Sequence, residues 1–189
     1  MMSAEDFKAR LNKELSTLDS KHIVLMNIES EHYSDSIFET LRYMTGKGMG
    51  GVYLTSARPY DFLSKKLEKD GIDTKNIYFI DTVSCMIGEP PGEMGNHVFI
   101  KSPAALDDIE IWAYRLLEKI DAENKFLLID SVSNMLIYND AGKLAQFSKS
   151  LVNYLRSRKV SGVIASVVGE IEAGFHNVMT DLCDRVIKI

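Results

Sequence analysis

A carboxylate and a hydroxyl follow a short, wholly apolar segment of the chain. Residues 126–129 are Phe-Leu-Leu-Ile, and Asp130 and Ser131 come directly after them. A segment that is apolar on both faces is what a central parallel strand needs when helices cover both sides of the sheet. Asp130 would then lie at the carboxyl edge of the sheet, where α/β proteins bind their ligands. The same position also suits a structural role, in which Asp130 caps a turn.

A second candidate site follows the apolar strand pattern at residues 22–28. The next eight residues include three acids and three serines: Glu29, Ser30, Glu31, Ser34, Asp35 and Ser36. A phosphate-binding loop at this place would need glycines, whose backbone amides turn inward around phosphates, together with a lysine and a metal-binding Ser or Thr. The segment contains no glycine and no lysine, and its carboxylates would repel a triphosphate. We therefore expect an ordinary strand-to-helix turn with solvated acids and no ATP binding.

Length and composition exclude several classes of function. A chain of 189 residues suits one α/β domain with an ample core. The net charge of −5 argues against a surface built mainly for phosphate contacts with nucleic acid. Cys85 and Cys183 are far apart, and the histidines show no ligand spacing, so we expect neither metal nor disulfide and a reducing, cytoplasmic setting. No apolar run approaches a membrane span, and the charged N-terminus does not read as a signal peptide.

Strand patterns alternate with helical patterns along the whole chain. We predict six main strands at residues 22–28, 52–55, 76–80, 126–129, 160–168 and 185–189, and a further short one at 97–100. Helices are predicted at residues 3–18, 35–45, 59–69 and 143–157, and one opens at residue 102. This alternation predicts a three-layer α/β/α domain with a mainly parallel, six-stranded sheet. The chain is expected to be a single domain, 1–189, in which residues 1–20 form a leading amphipathic helix.

Two elements are candidates for contact with a protein partner. In the leading helix, which Ser3 could cap, Phe7, Leu11, Leu15 and Leu18 form one apolar stripe. Such a stripe either packs on its own domain or binds a partner. The loop at residues 84–96 is rich in Pro and Gly, and a loop of this length is usually functional or mobile. The candidate interface residues are Leu11, Leu15, Met86, Ile87 and Met94.

Several segments, in this order and spacing, resemble the RecA superfamily and most closely its KaiC-like branch. The segments are HIVLMNI, GGVYLTS, NIYFIDTVS, FLLIDSVSNML, LVNYLRSRKVSGVIASVVGE and CDRVIKI, and the resemblance covers residues 23–189. The leading helix and the IDTVS…SPAALDDIEI pattern resemble a group of archaeal KaiC-like domains without a P-loop. The resemblance implies that Asp130 and Ser131 stand where the Walker B acid holds Mg²⁺ through water. It also implies the strand order third, second, fourth, fifth, first, sixth.

The resemblance also shows what this chain lacks. KaiC-like domains place a catalytic Glu just after the second strand, as the general base for the attacking water. Here residues 55–59 are Thr-Ser-Ala-Arg-Pro, with no acid. Because the phosphate loop, its lysine and this base are all absent, we expect no ATP hydrolysis and no cofactor.

The expected function is therefore a catalytically inactive domain that acts as a protein-interaction or regulatory module, bound to a second copy of itself or to an active ATPase. Self-association or a protein partner is expected, and neither nucleic acid nor membrane. The alternative is a non-hydrolysing sensor of a nucleotide or another small molecule at the carboxyl edge, near Ser30, Arg58, Asp130 and Ser131. An enzyme that uses the same crevice for different chemistry is a third possibility.

Overall fold

The computed structural model describes residues 4–17 and 21–189. Across these two ranges the chain forms eight strands and seven α-helices. The strands are β1 (Ile23–Ile28), β2 (Gly50–Thr55), β3 (Ile77–Asp81), β4 (Gly92–Met94), β5 (His97–Phe99), β6 (Lys125–Asp130), β7 (Ser161–Val167) and β8 (Arg185–Lys188). The helices are α1 (Ala4–Ser16), α2 (Tyr33–Gly46), α3 (Tyr60–Lys69), α4 (Leu106–Lys119), α5 (Val132–Tyr138), α6 (Ala141–Arg158) and α7 (Ala173–Leu182).

The strands form one sheet in the order β4-β5-β3-β2-β6-β7-β1-β8. All neighbouring strands are parallel except β4 and β5, which form an antiparallel pair. The predicted order of the six main strands is confirmed, and β6 lies near the centre of the sheet. The sheet has eight strands rather than six because β5 pairs with β3 and β4 adds a further edge. The three residues of β4 are all exposed, so they carry no apolar pattern that could have predicted a strand.

Two apolar cores lie on opposite faces of the sheet. Within β6, Leu127 and Ile129 belong to the core under α4, α5, α6 and α7. Phe126 and Leu128 belong to the other core, under α1, α2 and α3. Because successive side chains of a strand point to opposite faces, a strand that is apolar at every position fills both cores. The predicted three-layer α/β/α architecture is confirmed.

Helix α1 packs on its own domain through the stripe seen in the sequence. Phe7, Leu11 and Leu15 are 2%, 0% and 1% exposed and lie in the same core as α2. The expectation that Leu11 and Leu15 contact a partner is therefore corrected, because both side chains are already buried within the chain. The predicted cap Ser3 and the last stripe residue Leu18 lie outside the described residues.

Two helices lie in segments for which no helix was predicted. Helix α5 is capped at its N-terminus by Ser131, whose hydroxyl accepts a hydrogen bond from the Asn134 backbone N–H at 3.2 Å. Helix α7 contains Gly174 and several residues of low helix propensity, so propensity alone does not favour it. Its Phe175 and Met179 are 4% and 0% exposed. Burial of this face stabilises the helix in the folded chain, as tertiary packing does for most short helices.

Candidate functional site

The carboxylate of Asp130 is closed inside the protein at the carboxyl edge of the sheet. Asp130 ends β6 and is 2% exposed. The hydroxyl of Tyr33, the first residue of α2, donates to Asp130 Oδ1 at 2.6 Å. The hydroxyl of Tyr53, on the neighbouring strand β2, donates to Asp130 Oδ2. Both carboxylate oxygens therefore have partners within the chain.

The electrostatics of this cluster follow from its burial. Burial raises the pKa of Asp130, while hydrogen bonds from Tyr33 and Tyr53 and the charge of Arg58 lower it in part. Burial and the adjacent Asp130 raise the pKa of Tyr33 and of Tyr53 well above the ordinary tyrosine value. Both phenols therefore remain protonated at neutral pH and act as hydrogen-bond donors to the acid.

Ser131 has a structural role beside this cluster. Its side chain is fully buried and caps α5. Its backbone N–H donates to Ser56 Oγ at 3.0 Å, and Ser56 Oγ donates to the Ser131 carbonyl at 3.0 Å. The peptide bond between Asp130 and Ser131 is cis. Both residues that the sequence placed at the sheet edge are thus used to connect β6 with β2, α2 and α5.

The segment at the phosphate-loop position folds as a compact turn. Residues Ser30–His32 form one turn of 3-10 helix that leads into α2. Glu29, Ser30, Glu31 and Asp35 are exposed, in agreement with the expected turn of solvated acids.

The remaining side chains of this turn bond to the protein itself. In the frame of the phosphate-loop motif that starts at Glu29, Ser36 takes the Ser/Thr position. Ser36 is fully buried, and its hydroxyl donates to the His32 carbonyl at 2.8 Å. Ser34 accepts a hydrogen bond from the guanidinium of Arg58. Tyr33, inside the same segment, reaches Asp130 and so connects the turn directly to β6.

The two tyrosines are the site residues that sequence reasoning missed. Tyr53 lies between Val52 and Leu54 in a fully buried strand, and it is 0% exposed. A buried phenol needs a hydrogen-bond partner, so its hydroxyl indicated a polar group at the same depth. Nothing local identified Asp130 as that partner, since the two residues are 77 positions apart.

The loop at residues 84–96 is folded against the sheet. It contains a 3-10 turn, Ser84–Ile87, followed by β4, which pairs with β5. Met86, Ile87 and Met94 are 48%, 70% and 49% exposed. These three candidate interface residues therefore lie on an ordered edge of the sheet and face solvent.

Two cavities lie at opposite edges of the sheet. One of about 450 Å³ lies at the carboxyl ends of β1, β7 and β8, next to the turn that starts at Glu29. The other, of about 280 Å³, lies at the amino edge, lined by Leu15, His22 and Tyr43 among others. None of the residues that line the second cavity belongs to the cluster around Asp130.

Two kinds of site are not found in the part of the chain that the structure covers. Over residues 4–17 and 21–189, no three His, Cys, Asp or Glu side chains are grouped so that they could hold a metal ion. Within the same ranges, no helix has the length and apolar character needed to cross a membrane.

Comparison with known proteins identifies the fold. No family model and no curated protein matches the sequence. The crystal structure of the KaiC-like protein PH0186 from Pyrococcus horikoshii OT3 is similar, with a TM-score of 0.67 and 14% identity over 90% of this chain and 72% of that one. The flagellar accessory protein FlaH from Methanocaldococcus jannaschii has a TM-score of 0.63 and 11% identity over 100% and 78% of the two chains. A third structure, PH0250 from P. horikoshii OT3, has a TM-score of 0.64 and 9% identity over 95% and 87%. At these identities the likeness concerns the fold, and the chain has the RecA-type fold of KaiC-like domains.

Proposed function

We propose that this chain is a KaiC-like domain that does not hydrolyse ATP and that acts as a protein-interaction or regulatory module. The observation that carries the proposal is the pair of hydrogen bonds from Tyr33 and Tyr53 to Asp130. An acid that holds Mg²⁺ through water must reach solvent, because Mg²⁺ keeps most of its waters when it binds. Asp130 is 2% exposed and has both oxygens occupied, so its geometry supports a structural role.

The turn beside it adds an electrostatic argument. The exposed acids Glu29, Glu31 and Asp35 occupy the segment where phosphates would lie in an active domain. Two like charges 4 Å apart repel by about 4 kcal/mol at the effective dielectric of a protein surface. Among the residues that the structure describes, Arg58 is the only cation with a hydrogen bond to this segment, and its guanidinium already donates to Ser34. These charges disfavour a bound triphosphate.

The edge of the sheet at β4 is the proposed interaction surface. An edge strand exposes unpaired backbone N–H and C=O groups, which can pair with a strand of another chain. Here Met94 lies on that strand, and Met86 and Ile87 precede it in the 3-10 turn. Flexible apolar side chains that remain exposed suit an adaptable protein contact. The occupant is a second copy of the chain or a protein partner.

Titration calorimetry with Mg-ATP tests the absence of nucleotide binding. We expect no binding at micromolar or low millimolar nucleotide, and no rise in melting temperature, since a ligand at 100 times its Kd would stabilise the protein by about 2.7 kcal/mol. Binding in the micromolar range that is lost when Glu29 and Asp35 are replaced would contradict the proposal.

Sedimentation velocity tests the interaction surface. We expect the wild-type chain to associate at micromolar concentration, or to capture a partner from its native cells. The double variant Ile87→Glu/Met94→Glu should lose this association. The matched control is Val178→Glu, which introduces the same charge at an exposed apolar residue of α7 and should leave association unchanged. A wild-type chain that is monomeric throughout and recovers no partner would refute the interaction role.

A small-molecule sensor is the second candidate function, and one observation favours it. The part of the carboxyl edge where the sequence predicted a ligand, beside Asp130 and Ser131, is closed, because both residues are buried and hydrogen-bonded within the chain. The cavity at the ends of β1, β7 and β8 remains open on the same edge of the sheet.

A further inference from the structure

The cavity at the carboxyl ends of β1, β7 and β8 has a polar floor and a charged rim. Its volume of about 450 Å³ falls within the range of small-molecule sites. We propose that it binds a free amino acid whose side chain ends in a hydrogen-bond acceptor, as that of glutamine does. The cavity lies roughly 30 Å from β4, from the spacing of the intervening strands, so the proposal is independent of the interaction surface there.

The floor is defined by Asn27, Ser166 and His176. Asn27 is 6% exposed and Ser166 is 1% exposed. Ser166 Oγ lies 2.6 Å from Asn27 Oδ1 and donates to it, the shorter of its two contacts, since the Met26 carbonyl lies 3.3 Å away. Asn27 Nδ2 lies 2.9 Å from His176 Nε2, and an amide N–H can only donate, so this contact uses the His176 tautomer that accepts at Nε2 and carries its hydrogen on Nδ1.

This arrangement leaves two donors at the floor. An amide has two N–H groups, and His176 uses one of those of Asn27. Neither the second N–H of Asn27 nor Nδ1–H of His176 donates to another side chain in the described ranges of the chain. Because both side chains line the cavity, a ligand that places a carbonyl or carboxylate oxygen at the floor would satisfy them.

The rim carries both signs of charge. Glu29 follows β1, Lys188 is the last residue of β8, and both line the cavity. Neither forms an ion pair with a residue that the structure describes. Arg10 donates to the Lys188 carbonyl at 3.1 Å and forms no ion pair within residues 4–17 and 21–189. Glu31 lies 3.4 Å from the imidazole of His32. A zwitterion can place its ammonium against the two glutamates and its carboxylate against Lys188 and Arg10.

The walls suit an aliphatic chain between these two ends. Val167, Ile171 and Ile189 line the cavity between floor and rim. The ring of His32, which also lines it, stacks on Phe7 with a centroid distance of 4.6 Å and is thereby held in place. The glutamates disfavour a phosphate-bearing ligand, so a small, unphosphorylated amino acid matches the charges better than a nucleotide.

Ligand-observed NMR followed by calorimetry tests the proposal with L-glutamine as the probe. We expect glutamine to bind the full chain with a Kd of about 1 mM or tighter. Leucine lacks the side-chain acceptor and glutarate lacks the ammonium, so each should bind at least about fivefold more weakly, as expected when a hydrogen bond or charge is lost.

Rim variants locate the binding, because exposed charges can be replaced without loss of fold. Glu29→Gln and Lys188→Gln should each weaken glutamine binding roughly two- to fivefold. The control Glu170→Gln lies in the adjacent loop outside the cavity and should bind as the wild type does. The proposal would be overturned if neither glutamine nor any other protein amino acid bound, or if leucine bound with the same affinity as glutamine. It would also be overturned if both rim variants kept the wild-type affinity, or if the chain preferred adenosine.

Discussion

Replacement of Asp130 by Ala should destabilise the fold, because it leaves two buried phenols without an acceptor. Tyr53 is fully buried, and Tyr33 donates to the same carboxylate at 2.6 Å. Each unsatisfied buried hydroxyl costs about 1–3 kcal/mol. The variant no longer has to bury a carboxylate, and this offsets part of the cost, so the free energy of unfolding should fall by about 2–4 kcal/mol. For a chain of this size that corresponds to a fall in melting temperature of about 4–16 °C.

The isosteric variant separates hydrogen bonding from charge. In Asp130→Asn, one tyrosine can donate to the amide oxygen and the other can accept from the amide nitrogen, so the loss should stay within about 1 kcal/mol. Urea unfolding followed by circular dichroism measures all variants. The control Asp121→Ala removes an exposed carboxylate and should change stability by no more than about 0.5 kcal/mol. If Asp130→Ala also stayed within that margin, the carboxylate would not be the structural acceptor that the geometry indicates.

The same pair of proteins gives a pH dependence of known sign. Burial raises the folded-state pKa of Asp130 above its ordinary value of 3.8, so the folded state binds this proton more tightly than the unfolded state does. The contribution of Asp130 to stability is therefore fully present below pH 3.8 and is lost as the pH rises through the folded-state pKa. The unfolding free energy of the wild type, minus that of Asp130→Asn, should fall as the pH rises through this window. A difference that grows with pH would refute the assignment.

Three further predictions concern the core and the cysteines. Gly51→Ala places a Cβ 2.3 Å from Phe126 Cζ, so overpacking should cost about 1–3 kcal/mol in urea unfolding. Leu11→Asp buries a charge in the core beneath α1 and should cost at least about 3 kcal/mol, seen as unfolding in the same assay. Burial raises the pKa of both thiols, and that of the more deeply buried Cys183 to about 12, so iodoacetamide at pH 8 should label Cys85 at least about tenfold faster, as followed by mass spectrometry.

Matched variants control the first two of these. Gly46→Ala adds a Cβ that meets no atom within 4 Å and should not destabilise α2. Lys8→Asp changes an exposed residue of α1 and should retain the wild-type urea midpoint. A folded Leu11→Asp protein with altered association would return this helix to the list of interaction surfaces. A stable Gly51→Ala protein, or equal labelling of both cysteines, would show that the packing at those positions is looser than described.

Local patterns in the sequence were sufficient for the order of the main elements. The apolar segment at 126–129 predicted a central strand, and the lack of glycine and lysine at 29–36 predicted a turn with exposed acids. Both features are properties of consecutive residues, so periodicity and composition report them directly. The strand β4 was missed because its three residues are exposed and carry no apolar pattern. Helix α7 does have apolar residues at helical spacing, Phe175, Val178, Met179 and Leu182, but its glycine and other weak helix formers make it a helix that depends on packing against the rest of the domain.

The partners of the site residues were decided by the tertiary structure. Tyr33 and Tyr53 lie 97 and 77 positions from Asp130, and no local signal joins residues at such separations. The same holds for Asn27 and His176, which are 149 positions apart and meet only because β1 and α7 pack together. By itself the sequence determined that a carboxylate ends a central strand. Only the packing of β2 and α2 around that strand decided that the carboxylate is buried. A buried charge needs hydrogen-bond partners, and these come from the elements that the fold places next to it.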